Sequence, residues 1–589
     1  MGNNCQTGFR MLVILTAWLN VICTLNASPA EPLTKVRGWN ILSDYREDAI
    51  TTIKAAGNYS INHLQLSHDL VMDMKELRDS SRKRVVNDLI DEAHEAGIKE
   101  VVLWDHALYS LSYYPDKFRT GPDSTLDLDN EEFWNWFRDD YRKLMNLAPM
   151  ADGIVLTFIE TGARAERQHS VKYRTGPEKL AAVVDAVADI VCNERGKRLY
   201  IRTFAYTEAE YENTIGCIKH IRSRDIILMM KETPHDFFLT HPNDRYAGTL
   251  DRPVIIEFDC GNEFHGQGVV ANTWPEYIMK RCSDLLNRKN VIGYVARTDR
   301  YRNTRVVGTA NEINLYALKR YCEDNSVSAE QIYDEFITLK YGEKHLSEIK
   351  SAFKSSYDII SSVFYTLGTN LSNHSKMDFD PYKSSYGRHV SGKWINPPVV
   401  TIRHDVNRDF HYWTDIIEHI APARFKESNG PLKTEAPFVI DNNWVSPVEM
   451  MDEEYLRYII KEKRYGVKRA RQAYSKLVKI EPGSDDLRKV AELFYRTLLT
   501  AEMYEAVSTA YFGYRVYARG EEYKSRRLHK TISSSLEKMM KIADEIENYE
   551  GEVPRGEWNW RGDAATARKY YNLITSSGWK EYNNTIFKK

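Results

Sequence analysis

Between Arg37 and about Tyr341, short apolar runs alternate with longer stretches whose apolar residues recur at three- and four-residue steps. The short runs lie at 38–42, 63–67, 100–104, 153–159, 199–205, 226–230, 253–258 and 291–296. Runs of that length and composition suit strands buried on both faces. The stretches at 82–96, 130–147, 176–192 and 274–287 read as amphipathic helices. Strand alternating with helix predicts a parallel sheet with right-handed crossovers. Eight repeats of the unit predict closure, so the expected class is α/β: a (β/α)8 TIM barrel. An open doubly wound sheet is the alternative. Against it, Gly261-x-x-x-x-Gly266-x-Gly268 has the wrong spacing for a dinucleotide-binding turn and follows the seventh strand instead of the first.

The pattern changes after residue 345. A helix at 311–321 would close the barrel, and 328–341 and 346–367 also read as helices. A loop-rich stretch at 368–447 follows, and then long helical segments at 450–480, 485–517 and 525–549. In the middle one, Leu487, Val490, Phe494, Leu498 and Ala501 form a stripe, with Pro482-Gly-Ser484 as a start signal. Such a stripe is either the core of a bundle or the seam of a homodimer formed through this region. The expected organisation is a leader at 1–30, the barrel at 31–345 and a mainly α-helical C-terminal domain at 346–589.

The leader is read from Arg10, the apolar run from Met11 to Leu25 and the small residues after it. This is a signal-peptide layout, short for a bilayer span, and no later stretch is apolar enough to cross a membrane. The expectation is export, to a periplasmic or extracellular location after cleavage. Lys and Arg total 81 against 83 Asp and Glu, so no charge excess points to nucleic acid or to an acidic surface. Aromatic residues make up 12% of the chain, which suits sugar stacking and aromatic-rich cores equally. Five of the seven cysteines lie beyond the leader, scattered and odd in number, without the paired spacing of a metal site. His63 and His68, five residues apart on one strand, face opposite sides. No metal and no cofactor is expected.

Chemistry concentrates where the strands end. Glu160 closes the fourth run, and Arg202, Phe204 and Tyr206 share a face of the fifth. Lys231 ends the sixth, with Asp236 five residues on; Glu257 and Asp259 share a face of the seventh, with Glu263 in its loop. Arg297 and Asp299 close the eighth, and Asp105 and His106 the third. In a closed barrel, inward side chains near the C-terminal mouth are the ones that meet substrate. Carboxylates serving as acid and base are the common requirement of glycosidic bond cleavage. The competing reading is an ion-pair lattice, Arg202 with Glu257 and Lys231 with Asp259, because unpaired buried charge is costly. Glu160, Asp236 and Glu263 lie in turns and loops, where a lattice is not needed.

From Arg37 to about Tyr341 the chain resembles the catalytic barrel of the α-glucuronidases of glycoside hydrolase family 67. The resemblance rests on Arg37-Gly-Trp, Gly153-Ile-Val-Leu-Thr-Phe-Ile-Glu160, Ile201-Arg-Thr-Phe-Ala-Tyr206, Met230-Lys-Glu-Thr-Pro-His-Asp-Phe237 and Ile256-Glu-Phe-Asp-Cys-Gly-Asn-Glu263, continued by Gly293-Tyr-Val-Ala-Arg-Thr-Asp299. It implies that Glu160 is the general acid, that Asp236 and Glu263 activate the attacking water with inversion, and that Arg202 and Lys231 bind a uronate carboxylate. Tyr206, Asp105, His106, Arg297 and Asp299 complete the expected substrate-binding set. The chain departs from the family in having little before Arg37, where a β-rich domain is usual, and in the residues around Glu160. The function expected is hydrolysis of an α-linked uronate from an oligo- or polysaccharide. The alternatives are a non-catalytic glycan-binding barrel and a retaining barrel glycosidase with Glu263 as nucleophile.

Overall fold

The computed structural model describes residues 34–205, 208–233, 236–239, 243–366, 369–370, 372–373, 375–377, 388–390, 393–395, 439–440, 444–445, 453–480, 484–517, 520–554 and 558–576. The leader, Tyr206 and most of the stretch at 368–447 lie outside these residues.

Eight parallel strands close into one barrel: β1 (Val36–Ile41), β2 (His63–Leu66), β3 (Glu100–His106), β4 (Gly153–Thr157), β5 (Arg198–Arg202), β6 (Ile226–Lys231), β7 (Val254–Phe258) and β8 (Val291–Arg297). β1 pairs with β8 as well as with β2, which is what closes the sheet. Every strand read from the apolar runs is present. Gly293 sits where β8 crosses β1 so closely that a Cβ there would lie 1.9 Å from the Val36 carbonyl oxygen, so only glycine fits.

Helices cover the outside: α1 (Arg46–Ala55), α2 (Ser80–Glu95), α3 (Glu131–Met145), α4 (Gly176–Ala188), α5 (Glu208–Cys217), α6 (Pro275–Leu285) and α7 (Ile313–Glu323). Their starts follow local rules. The Asp79 side chain accepts from two backbone N–H groups of α2, and Thr175 and Glu178 form a reciprocal capping box at α4. Outward residues such as Leu103, Ile154, Leu156, Ile201, Leu228 and Ile256 pack under these helices and are fully buried.

The chain continues through α8 (Ala329–Tyr341), α9 (Leu346–Phe353) and α10 (Ser356–Val363) into α11 (Glu453–Leu477), α12 (Asp485–Tyr517), α13 (Arg526–Glu547) and α14 (Gly562–Ser576). The helix expected over 346–367 is broken in two at Lys354 and Ser355. The stripe on α12 is internal to the chain: Val490, Phe494, Leu498 and Ala501 are buried, and Phe494 stacks on Phe353 of α9 at 6.2 Å. These helices share one continuous apolar core with the outer layer of the barrel. The five cysteines beyond the leader are free thiols, four of them buried. No helix among the described residues is long and apolar enough to cross a membrane.

Candidate active site

Side chains alternate along each strand, so the inward phase can be followed up the barrel. One inward layer is apolar: Val102, Trp104, Val155, Tyr200, Ile227, Met229, Ile255 and Val295. A single step of two residues toward the C-terminal ends turns that phase polar, into His106, Thr157, Arg202, Lys231, Glu257 and Arg297. All six are buried. Charge therefore meets the mouth of the barrel directly above a dry floor.

Glu257 is the centre of this layer and is fully buried. One carboxylate oxygen accepts from Arg202 Nε at 2.8 Å and the other from Arg297 Nε at 2.8 Å. Burial works against its charge, but Arg202, Arg297 and Lys231 outweigh it and hold the carboxyl down at about 2. Arg297 reaches on to Glu263 at 2.6 Å, and Arg300 Nε lies 3.0 Å from the other Glu263 oxygen. Lys231 Nζ donates to Asp236 at 2.7 Å. Burial lowers the Lys231 ammonium from its ordinary value, and Asp236 opposes that shift. Aromatic faces line the cations: Lys231 Nζ lies 3.7 Å from the Phe204 ring centre and 4.3 Å from that of Phe237, and the Arg202 guanidinium lies 4.7 Å from Trp104.

The expected pair of Arg202 with Glu257 is present, but Lys231 pairs with Asp236 and not with Asp259. Lys231 lies in register with Glu257 on β7, two residues short of Asp259, and the loop after β6 brings Asp236 back over it. Asp236 and Glu263 belong to the charge lattice after all. Both are buried, and a buried carboxylate is stable only beside cations.

Glu160 is placed differently. It lies three residues beyond the end of β4, is exposed, and has a left-handed backbone with φ of 66°. His68 after β2, and Asn262 and Gln267 after β7, share that conformation. For a residue with a side chain it costs about 1–3 kcal/mol, and such strain concentrates at functional sites.

Asp105 and Asp299 are engaged by groups of the protein itself. Asp105 is out of the inward phase set by Trp104 and His106. Its carboxylate accepts from Tyr109 and Tyr141 hydroxyls, each at 2.7 Å, and from the Met74 N–H at 3.0 Å, between the strand and the helix layer. Asp299 is a fastener: its oxygens accept from the backbone N–H of Leu42 at 2.8 Å and of Ser43 at 3.4 Å, tying the end of β8 to the end of β1. His106 keeps its place at the mouth, with Nδ1 2.8 Å from Asp73. Tyr206 lies outside the described residues.

The loop from Asp259 to Trp274, which carries Glu263, is buried at every residue but Gly268. Gly261 is obligatory there, because a Cβ would lie 2.4 Å from the Asp299 carbonyl oxygen. The loop is latched from beyond the barrel. Ser375 Oγ accepts from Gly266 N at 2.8 Å and donates to Glu263 O at 3.0 Å, Thr497 Oγ1 accepts from Ala271 N, and Arg496 Nε donates to Val269 O. The Tyr365 hydroxyl accepts from Leu239 N at 2.7 Å and is hydrogen-bonded to His265 at 2.7 Å. One phenol thus joins the segment bearing Asp236 to the loop bearing Glu263. Arg300 is the next residue after a quoted segment and was within reach of sequence reasoning; Tyr365 and Ser375 carry no local signal.

Among the described residues, Asp127, Asp129 and His169 bring ligand-type atoms within 4.8 Å of one another. The Asp129 carboxylate already accepts from Ser170 Oγ and the Val171 and Lys172 N–H groups, so the cluster works as a clasp between two loops. A cavity of about 760 Å³ among α9, α11, α12 and α13 is lined by Arg464, Lys468, Arg471 and Lys538 and by no residue of the barrel strands.

No protein-family model matches this sequence, and no curated protein does. A solved structure shares its architecture. A GH138 enzyme targeting pectin rhamnogalacturonan II superposes with a TM-score of 0.56 at 11% identity, covering 97% of this chain and 71% of that one. A Thermobaculum terrenum O-GlcNAc hydrolase variant aligns with a TM-score of 0.44 at 11% identity, over 93% of this chain and 97% of that one. At this identity the likeness to the GH138 enzyme is one of fold.

Proposed function

We propose that the chain is a glycoside hydrolase that releases an α-linked uronic acid from an oligo- or polysaccharide. The observation that carries this reading is the charge balance of the mouth. Four buried cations, Arg202, Lys231, Arg297 and Arg300, form ion pairs with three carboxylates, Asp236, Glu257 and Glu263. A surplus cation at the mouth of a barrel favours an anionic sugar over a neutral one. Arg202 spends Nε on Glu257, which leaves the terminal nitrogens of its fork as donors toward a substrate carboxylate. The fold shared with the GH138 enzyme agrees with the reaction class, and that enzyme's pectin target is itself a glycan.

In the proposed mechanism Glu160, on the exposed side, protonates the leaving oxygen as the glycosidic bond breaks. Asp236 and Glu263, on the buried side, take the proton of a water that attacks the anomeric carbon from the opposite face, which inverts it. Each has a cation partner, Lys231 for Asp236 and Arg297 with Arg300 for Glu263. Arg202 and Lys231 hold the uronate so that the anomeric carbon lies between the two sides. Incubation with a panel of uronate-bearing oligosaccharides, analysed for free uronic acid, tests the reading. Release of neutral sugars alone would refute the uronate assignment, and release of nothing would refute the hydrolase.

A further inference from the structure

Glu257 and Asp259 follow Ile255 in the same inward phase of β7, yet their surroundings differ. Glu257 holds two guanidinium partners. Asp259 is 8% exposed; its Oδ2 accepts from the Glu263 N–H at 2.8 Å, and its Oδ1 is buried with no hydrogen-bond partner. Three charged groups face it. Arg297 of β8 is already committed to Glu257 and Glu263. The Glu263 carboxylate lies on its own loop. Glu232, just after β6, accepts from the Asp259 N–H and lies 3.5 Å from Arg281 of α6. Two carboxylates thus oppose one occupied guanidinium. An ionised Asp259 would leave a bare anionic oxygen in a dry site, whereas a protonated one carries O–H there.

We propose that Asp259 works as a neutral acid, a positioning residue that anchors the Glu263 loop through Oδ2 while the proton on Oδ1 preserves the surplus positive charge of the mouth. Its consequence for ligand binding rests on the uronate reading; its protonation does not. Burial, with Glu263 and Glu232 acting in the same direction against Arg297, pushes the carboxyl up to about 7. Above that pH four carboxylates balance the four cations, and the hold on an anion weakens. The sign for folding is the same. The folded value lies above the unfolded one, so the stability from the neutral form is lost as pH rises through about 7.

Difference infrared spectra between the protein and Asp259→Asn, from about pH 5 to about pH 9, read the proton directly. The expected result is a carboxylic-acid carbonyl band at low pH that Asp259→Asn lacks and that disappears through about pH 7. No such band at the acid end overturns the proposal. Glu263→Gln, which removes a facing like charge, should move the midpoint to lower pH; an unmoved midpoint assigns the band elsewhere and also overturns it. In calorimetry, glucuronate affinity should fall up to about tenfold per pH unit above the midpoint for the protein and stay level for Asp259→Asn, with glucose level for both. Pronounced pH dependence retained in Asp259→Asn contradicts the charge role. If glucuronate binds at no pH while the band titrates, the neutral acid stands and the uronate reading falls.

Discussion

The two sides of the barrel mouth are built differently. On the β4 side Glu160 is exposed, on strained backbone, three residues beyond the strand. On the β6 to β8 side Asp236, Glu257 and Glu263 are buried, ion-paired and latched by residues from the helical region. The difference fits the two tasks of the proposed inversion. An acid must be recharged from solvent after each turnover, so access serves it. A base and its water must be held in place and stay ionised, so cations and a locked loop serve them.

The largest expected effect breaks the exposed side alone. Glu160→Gln should lower hydrolysis of natural glycosides by about 10²–10⁴-fold while leaving folding intact. Substrates with good leaving groups, which need little protonation, should lose far less. Equal losses on both would remove Glu160 from the acid role.

Breaking the buried side should instead cost stability. Arg297→Met takes one of two cation partners from both Glu257 and Glu263, leaving Arg202 and Arg300, with an expected loss of about 3–5 kcal/mol in denaturant unfolding. A change below about 1 kcal/mol would mean that the lattice does not support the fold.

Arg202→Ala sharpens the comparison on the ligand side. A free uronate should lose about 1.5–3 kcal/mol of binding relative to the matching neutral hexose, which lacks the charge. Equal losses in calorimetry would make Arg202 a partner of Glu257 and nothing more.

The smallest effect tests the latch. Tyr365→Phe leaves Leu239 N and His265 without their shared hydroxyl, for about 1–3 kcal/mol. Hydrogen exchange should quicken in both the segment after β6 and the loop after β7. Faster exchange in only one of them would show that the phenol does not couple the two.

The barrel was legible because each strand is buried on both faces and so appears as an uninterrupted apolar run. α12 was legible because one stripe repeats over a long helix. The charged mouth was half legible. Arg202, Lys231, Glu257 and Arg297 are fixed by strand phase, which a sequence displays. Asp105 was misplaced because ending a strand is not the same as pointing into it: it stands one residue out of phase with Trp104. The pairing of Lys231 with Asp236 depends on how a loop folds back, which no periodicity encodes. The latch through Tyr365, Ser375 and Thr497 joins residues about 100 or more positions apart in the chain, so nothing local announces it.

The division of labour between the two sides is tested most directly by proton NMR of the first-formed product from an α-linked uronate oligosaccharide. The account predicts β-uronic acid appearing first and mutarotating later. An α-anomer formed first, or a covalent intermediate trapped on Glu263, would contradict it and make Glu263 a nucleophile.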